Sequence, residues 1–172
     1  MLDENITQTL SKIKLFNDEL RAKNPPPEDT GHSTEQPIIY MSLVQGTRGY
    51  IEKLSHQING TYENGWYDGC AVLIRRLIET LIIECFESKN ISHKIKNSIG
   101  DFVYLSDLIA ATLSESSWNI GRNAKKSLKA LKDIGDKSAH SRRFIAQRRD
   151  IDKVMADIRN VVQELIYLAS LK

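Results

Sequence analysis

AVLIRRLIETLIIECFE, residues 71–87, is the stretch whose reading decides the fold. Its apolar residues do not alternate with polar ones, as they would on a half-buried strand. They fill nearly every direction around a helix of 3.6 residues per turn. The run extends from Trp66 to Phe86, and a helix apolar almost all round belongs at the centre of a bundle. It is not expected to span a membrane, because Arg75, Arg76, Glu79 and Glu84 interrupt Cys70–Phe86.

Helical periodicity continues on both sides. Upstream, Leu43, Tyr50, Ile51, Leu54 and Ile58 share one face of a run that the pair Asn59-Gly60 is expected to stop. Further upstream, Leu2, Ile6, Leu10, Ile13 and Leu20 trace a first helix, and NPPPEDTGHS (24–33) breaks the pattern with three consecutive prolines. Downstream, residues 90–100 are mixed and suit a connection with a short helix. Phe102, Leu105, Leu108, Ile109 and Leu113 mark another helix. Ser116 or Ser117 is the expected cap of the next, with Ala124, Leu128 and Leu131 facing inward and Gly135 ending or bending it. The last helix carries Ile151, Val154, Ile158, Val161, Val162, Leu165 and Leu168 as a wide apolar stripe, with Asp150 as the expected N-cap. No strand-like alternation and no internal repeat is present. The expected fold is therefore all-α, an antiparallel helical bundle over residues 38–172, with an N-terminal helix (1–23) attached through a Pro-rich linker (24–37).

The totals agree with one globular domain. The chain has 172 residues, 41% of them hydrophobic and 27% charged, which excludes extensive disorder. The net charge of +2 makes the whole-molecule field weak, so any nucleic-acid surface must come from local clustering of Lys and Arg. Cys70 and Cys85 form no CxxC pair and support neither a disulfide framework nor a zinc site. MLDENITQTL lacks a basic region followed by an apolar run, so no secretion signal is expected and a cytoplasmic location is. The sequons at Asn5, Asn59 and Asn90 are then chance matches. Phosphate-cradling Gly-rich loops, an HExxH pair and a GxSxG elbow are all missing, and no metal or cofactor is expected. Trp66 and Trp118 read most simply as packing residues.

Two constellations can carry chemistry. Arg75 and Glu79 stand four apart on the apolar helix, in a ladder with Val72, Ile82 and Phe86, so both are expected to be partly buried and paired. They act either as an ion pair that sets helix register or as organisers of a site. The second is GDKSAHSRR, residues 135–143. Imidazole titrates near neutrality, so His140 can move a proton, while Lys137, Arg142 and Arg143 can bear on a phosphoryl oxygen. The structural alternative is that His140 caps the preceding helix and the cations favour its dipole. Lys125, Lys126, Lys129, Lys132, Arg148 and Arg149 enlarge the basic content. Asp133, Asp136, Asp150 and Asp152 partly balance it, and no aromatic residue is interleaved to stack bases.

Taken in that order, AVLIRRLIETLIIECFE, then LKALKDIGDKSAHSRR (128–143), then a terminal amphipathic helix resemble the HEPN-like domains of bacterial proteins of unknown function. The likeness covers roughly residues 62–171 and leaves out the first helix and the linker. It rests on an Arg and a Glu four apart on an apolar helix, followed by a Gly-Asn/Asp-x-x-Ala-His segment. The resemblance implies a four- or five-helix bundle that often dimerises. It implies metal-independent RNA cleavage by Arg and His across the dimer, in toxin or phage-defence settings. His140 is the carried-over His, and Asp136 matches the polar residue that follows the motif Arg. The chain departs where that Arg belongs, because Gly135 stands there. Lys132, Lys137, Arg142, Arg143 or Arg75 are the cations that could take its place in space.

The resulting expectations are a ribonuclease or RNA-binding effector using His140, Asp136, Glu79 and Arg75 with Lys132, Lys137, Arg142 and Arg143 on phosphate, or a non-catalytic interaction module whose Arg-Glu-His network is structural. The family name adds small-nucleotide binding as a third. Expected partners are RNA, a second copy of the chain and a further protein, but no membrane.

Overall fold

The apolar core chooses the centre of the molecule. In the computed structural model the backbone is described for residues 2–23 and 36–172, with side chains in the first helix described for residues 7–16 and 19. Most of the expected Pro-rich linker, His32 included, lies outside the described residues. The described chain forms α1 (Leu2–Lys23), α2 (Met41–Val44), α3 (Gly49–Glu63), α4 (Tyr67–Ser88), a 3-10 turn (Ser92–Ile95), α5 (Leu105–Ser114), α6 (Arg122–His140), α7 (Arg148–Asp152) and α8 (Met155–Leu168). No strand is present among the described residues beyond a single bridge, Lys96 to Phe102. No helix among them is long and apolar enough to cross a membrane.

α4 is the central helix, packed by α3, α6 and α8 and touched by α5 and α7. Its Cys70, Ala71, Ile74, Leu77, Ile78, Leu81, Ile82, Cys85 and Phe86 are wholly buried. Each such aliphatic side chain contributes about 1.5–3 kcal/mol relative to exposure, so the hydrophobic run itself selects this position. α6 runs antiparallel to α4. Trp118, just before α6, meets Phe86 at the end of α4 edge-on at 4.9 Å, while Gly135 near the end of α6 lies against Ala71 and Arg75 near the start of α4.

Several helix boundaries differ from the sequence expectation, each for a local reason. α3 passes through Asn59-Gly60 because Asn59 points inward and clasps the backbone of Ile39, accepting from its N–H and donating to its carbonyl, both at 2.9 Å. The helix instead ends at Gly65, whose φ of +75° suits glycine. The Trp66 N–H reaches back to the Thr61 carbonyl and the Gly65 N–H to that of Tyr62, at 2.8 and 3.1 Å. Neither Ser116 nor Ser117 caps α6. Its N-cap is Gly121, whose N–H is taken by the Glu164 carboxylate of α8. Asp150 is not an N-cap either. Gln147 is, and Asp150 closes a capping box by accepting the Gln147 N–H at 3.1 Å, in a short α7 that precedes α8. Gly135 neither ends nor bends α6, and residues 135–140 are its last turns rather than a loop.

The segment entering the bundle is held by polar contacts as well as by the buried Ile38 and Ile39. Arg159 of α8 donates to the carbonyls of Ile38 and Pro37 at 3.0 and 2.6 Å and lies over the Tyr40 ring. By contrast, Leu10, Ile13, Leu15 and Phe16 of α1 are each more than half exposed.

Candidate functional site

The site is built on the crossing of α4 and α6. A β-carbon placed on Gly135 would stand 2.6 Å from Arg75 Cβ, 3.1 Å from Arg75 Cδ and 3.1 Å from the Ala71 carbonyl oxygen. The glycine is there to let the Arg75 side chain lie flat across α6. Arg75 then reaches Asp136, the next residue, with Nε donating to Oδ1 at 2.7 Å. The other carboxylate oxygen, Oδ2, accepts from Lys132 Nζ at 2.5 Å, one turn back on α6. Arg75 Nη1 also meets Glu79 Oε2 at 3.4 Å, as the four-residue spacing leads one to expect.

These four side chains are a quarter to a third exposed, so solvent screens them only in part. Burial works to raise the Asp136 carboxyl, but the hydrogen bonds and charges of Lys132 and Arg75 outweigh it and hold the group below its ordinary value. Asp136 is therefore an ionised anchor. Lys132, expected on phosphate, spends its charge on that anchor.

The other expected residues stand apart from this network. Lys137, His140, Arg142 and Arg143 are all exposed, and His140 is the last residue of α6. On α6, Lys125, Lys129, Lys132, Asp136 and His140 follow one another at three- and four-residue steps, so they share one stripe of the helix. The stripe is about 22 Å long at the helical rise. Lys125 and Lys129 are exposed on it, and Asp136 is already neutralised. Lys137 lies to one side, in a groove with Phe144, Asp150 and Lys153 between α6 and α7. The Ser138 hydroxyl is buried without a hydrogen-bond partner among the described residues.

Sequence reasoning missed two features. Trp66, expected as a packing residue, is 57% exposed at the N-terminal end of α4. The sharp Gly65 turn puts it outside the core, where it lines a cleft of about 420 Å³ with Gly69, Ile145 and Ala146, and Ile145 is itself 67% exposed. Asp68 in the same wall accepts the Ala146 N–H at 2.9 Å and fixes the strand of chain after α6 against α4. The second missed feature is buried Glu84, which accepts from the Tyr50 hydroxyl and sits 3.6 Å from Arg48 Nε. No signal in the sequence ties residues 48 and 50 to residue 84. The two thiols offer no reactivity, since burial pushes Cys70 and Cys85 up to about 12.

Comparison with known proteins adds no relative: no family model, curated protein or solved structure matches this chain.

Proposed function

We propose that this chain is a HEPN-like domain directed at RNA, in which the α6 stripe and the segment after it bind phosphates and His140 moves a proton during metal-independent cleavage. One observation carries the reading. Exposed cations and the exposed imidazole are gathered along and just beyond one helix edge, and Asp136 on that stripe is neutralised by Arg75 and Lys132, while Asp133 at its margin lies 4.0 Å from Lys132. A polyanion laid along α6 thus meets Lys125, Lys129, His140, Arg142 and Arg143 without an unpaired Asp136 to repel it.

In the proposed reaction the ribose 2′-oxygen forms a bond to its own phosphorus and the bond to the 5′-oxygen breaks. The products are a 2′,3′-cyclic phosphate and a 5′-hydroxyl. One base must take the 2′ proton and one acid must protonate the leaving oxygen. A homodimer supplies two copies of His140 for these two roles, and C2 pairing is the commonest arrangement of such assemblies. Arg75 and Asp136 are positioning residues here: they set the last turns of α6 against α4. A bacterial defence or toxin setting is the context that the HEPN resemblance implies.

The test is incubation of a mixed RNA pool with the purified chain in excess chelator, beside His140→Ala. Cleavage by the parent and none by the folded variant is the expected result. Equal cleavage by both would remove His140 from the mechanism.

The same geometry favours a second reading, a non-catalytic interaction module. Arg75, Glu79, Lys132 and Asp136 satisfy one another, and among the described residues no side chain hydrogen-bonds His140 to orient it, as a third group does for many general bases. Absence of cleavage by both proteins, with both folded, decides for this reading.

A further inference from the structure

The cleft beside Trp66 has no part in the chemistry above, yet it lies next to the cations that do. Ile145 lines it and follows Arg143 by two residues, so their backbones are within about 7 Å. Its walls are mainly apolar, and Trp66 and Ile145, which both line it, are each more than half exposed. A solvent-facing indole and isoleucine around a cleft of about 420 Å³ suit a flat apolar group inserted between them. Arg142 and Arg143 next to it suit an anion covalently attached to that group. A nucleobase with its phosphate has both parts.

We infer that the Trp66–Ile145 cleft stacks one base of single-stranded RNA whose flanking phosphates lie on Arg142 and Arg143. The inference rests on the RNA-directed reading and adds to it what the sequence lacked, an aromatic platform among the cations. Stacking is tolerant of base identity because every base has a π face. Asp68 lines the same cleft and accepts the Ala146 N–H, so the phosphates are placed on the Arg142 and Arg143 side rather than in the cleft itself. The Gly65 turn keeps the indole outside the core and so makes the platform accessible.

The experiment uses the full chain carrying Trp118→Phe, so that indole fluorescence reports Trp66 alone. The probes are a 2′-O-methyl octa-adenylate, which lacks the attacking hydroxyl, and its abasic counterpart. The octa-adenylate is expected to quench the fluorescence and, by anisotropy of a dye on its 5′ end, to bind about tenfold more weakly to Trp66→Ala, with Trp66→Phe restoring most of the affinity. The abasic chain is expected to bind equally to all three and to quench little. Full octa-adenylate affinity in Trp66→Ala, together with a loss in Arg142→Ala/Arg143→Ala, overturns the stacking and leaves the RNA reading standing. Binding of neither probe overturns both. If Trp66→Ala turns a dimer into a monomer by light scattering while affinity per protomer is unchanged, the cleft is a contact between copies and the inference is wrong.

Discussion

Arg75 and Gly135 meet where α4 crosses α6, so closely that a β-carbon on residue 135 would stand 2.6 Å from Arg75 Cβ. The HEPN resemblance places an Arg at position 135. Here glycine stands at 135, and the Cβ and Cδ of Arg75 from the neighbouring helix fill the space that a side chain at 135 would need.

Gly135→Ala sets two effects against each other. Alanine gains about 1 kcal/mol over glycine in a helix interior. The added methyl meets a Cβ and a backbone carbonyl oxygen, neither of which is the free end of a flexible side chain. Overpacking of that kind costs about 1–3 kcal/mol. The expected outcome is a net loss of stability in urea unfolding, and Gly135→Arg is expected to lose more. An unchanged or raised midpoint for Gly135→Ala would mean that the crossing relaxes freely.

The Asp136 cluster gives a pH dependence whose sign follows from its cause. Lys132 and Arg75 hold the folded carboxyl below its ordinary value, against burial. Its contribution is then fully present above the unfolded value of about 3.9 and is lost as pH falls through the lower folded value. Asp136→Asn is expected to be less stable than the parent at pH 6, by about 1–2 kcal/mol for a partly buried charged hydrogen-bond pair. The gap between the two is expected to narrow toward pH 3. Parallel stability curves across that range would show that the carboxylate adds nothing to folding.

Removal of the exposed cations tests the RNA reading through salt. Each phosphate contact on a single strand contributes about 0.7 to the slope of log affinity against log salt. Arg142→Ala/Arg143→Ala is expected to weaken RNA binding and flatten that slope by about 1.4. Its melting temperature is expected to stay near the parent's, because both side chains are exposed and neither forms an ion pair among the described residues. An unaltered slope would place the phosphates elsewhere.

Cys70 and Cys85 are expected to resist a thiol reagent in the native protein at pH 8 and to react with both equivalents once unfolded. Burial keeps both thiols protonated, at about 12, and closed to the reagent. Rapid native labelling would contradict the packing of α4 against α3 and α8.

Much of the fold was legible because periodicity depends only on neighbours along the chain. The all-apolar circumference of residues 66–86 assigned α4 to the centre, and the Arg75–Glu79 spacing alone made their pairing an expectation. The helix ends were less legible. Asn59, Gly60, Asp150 and Gly135 are residue types that stop or cap helices, but each is used here for a tether, an interior turn, a capping-box partner or a close crossing. Those uses depend on groups up to 64 residues away, such as Ala71 for Gly135.

The sequence by itself determined that the chain is helical and which run is central. Local spacing is enough for that, since helical geometry follows from the backbone. Only the tertiary structure decided that Asp136 is bonded by Arg75 and Lys132, that Gly135 serves the crossing, and that Trp66 faces solvent beside Ile145. Each of these is a contact between segments brought together by burial of the apolar core, and such contacts leave no periodic trace along the chain.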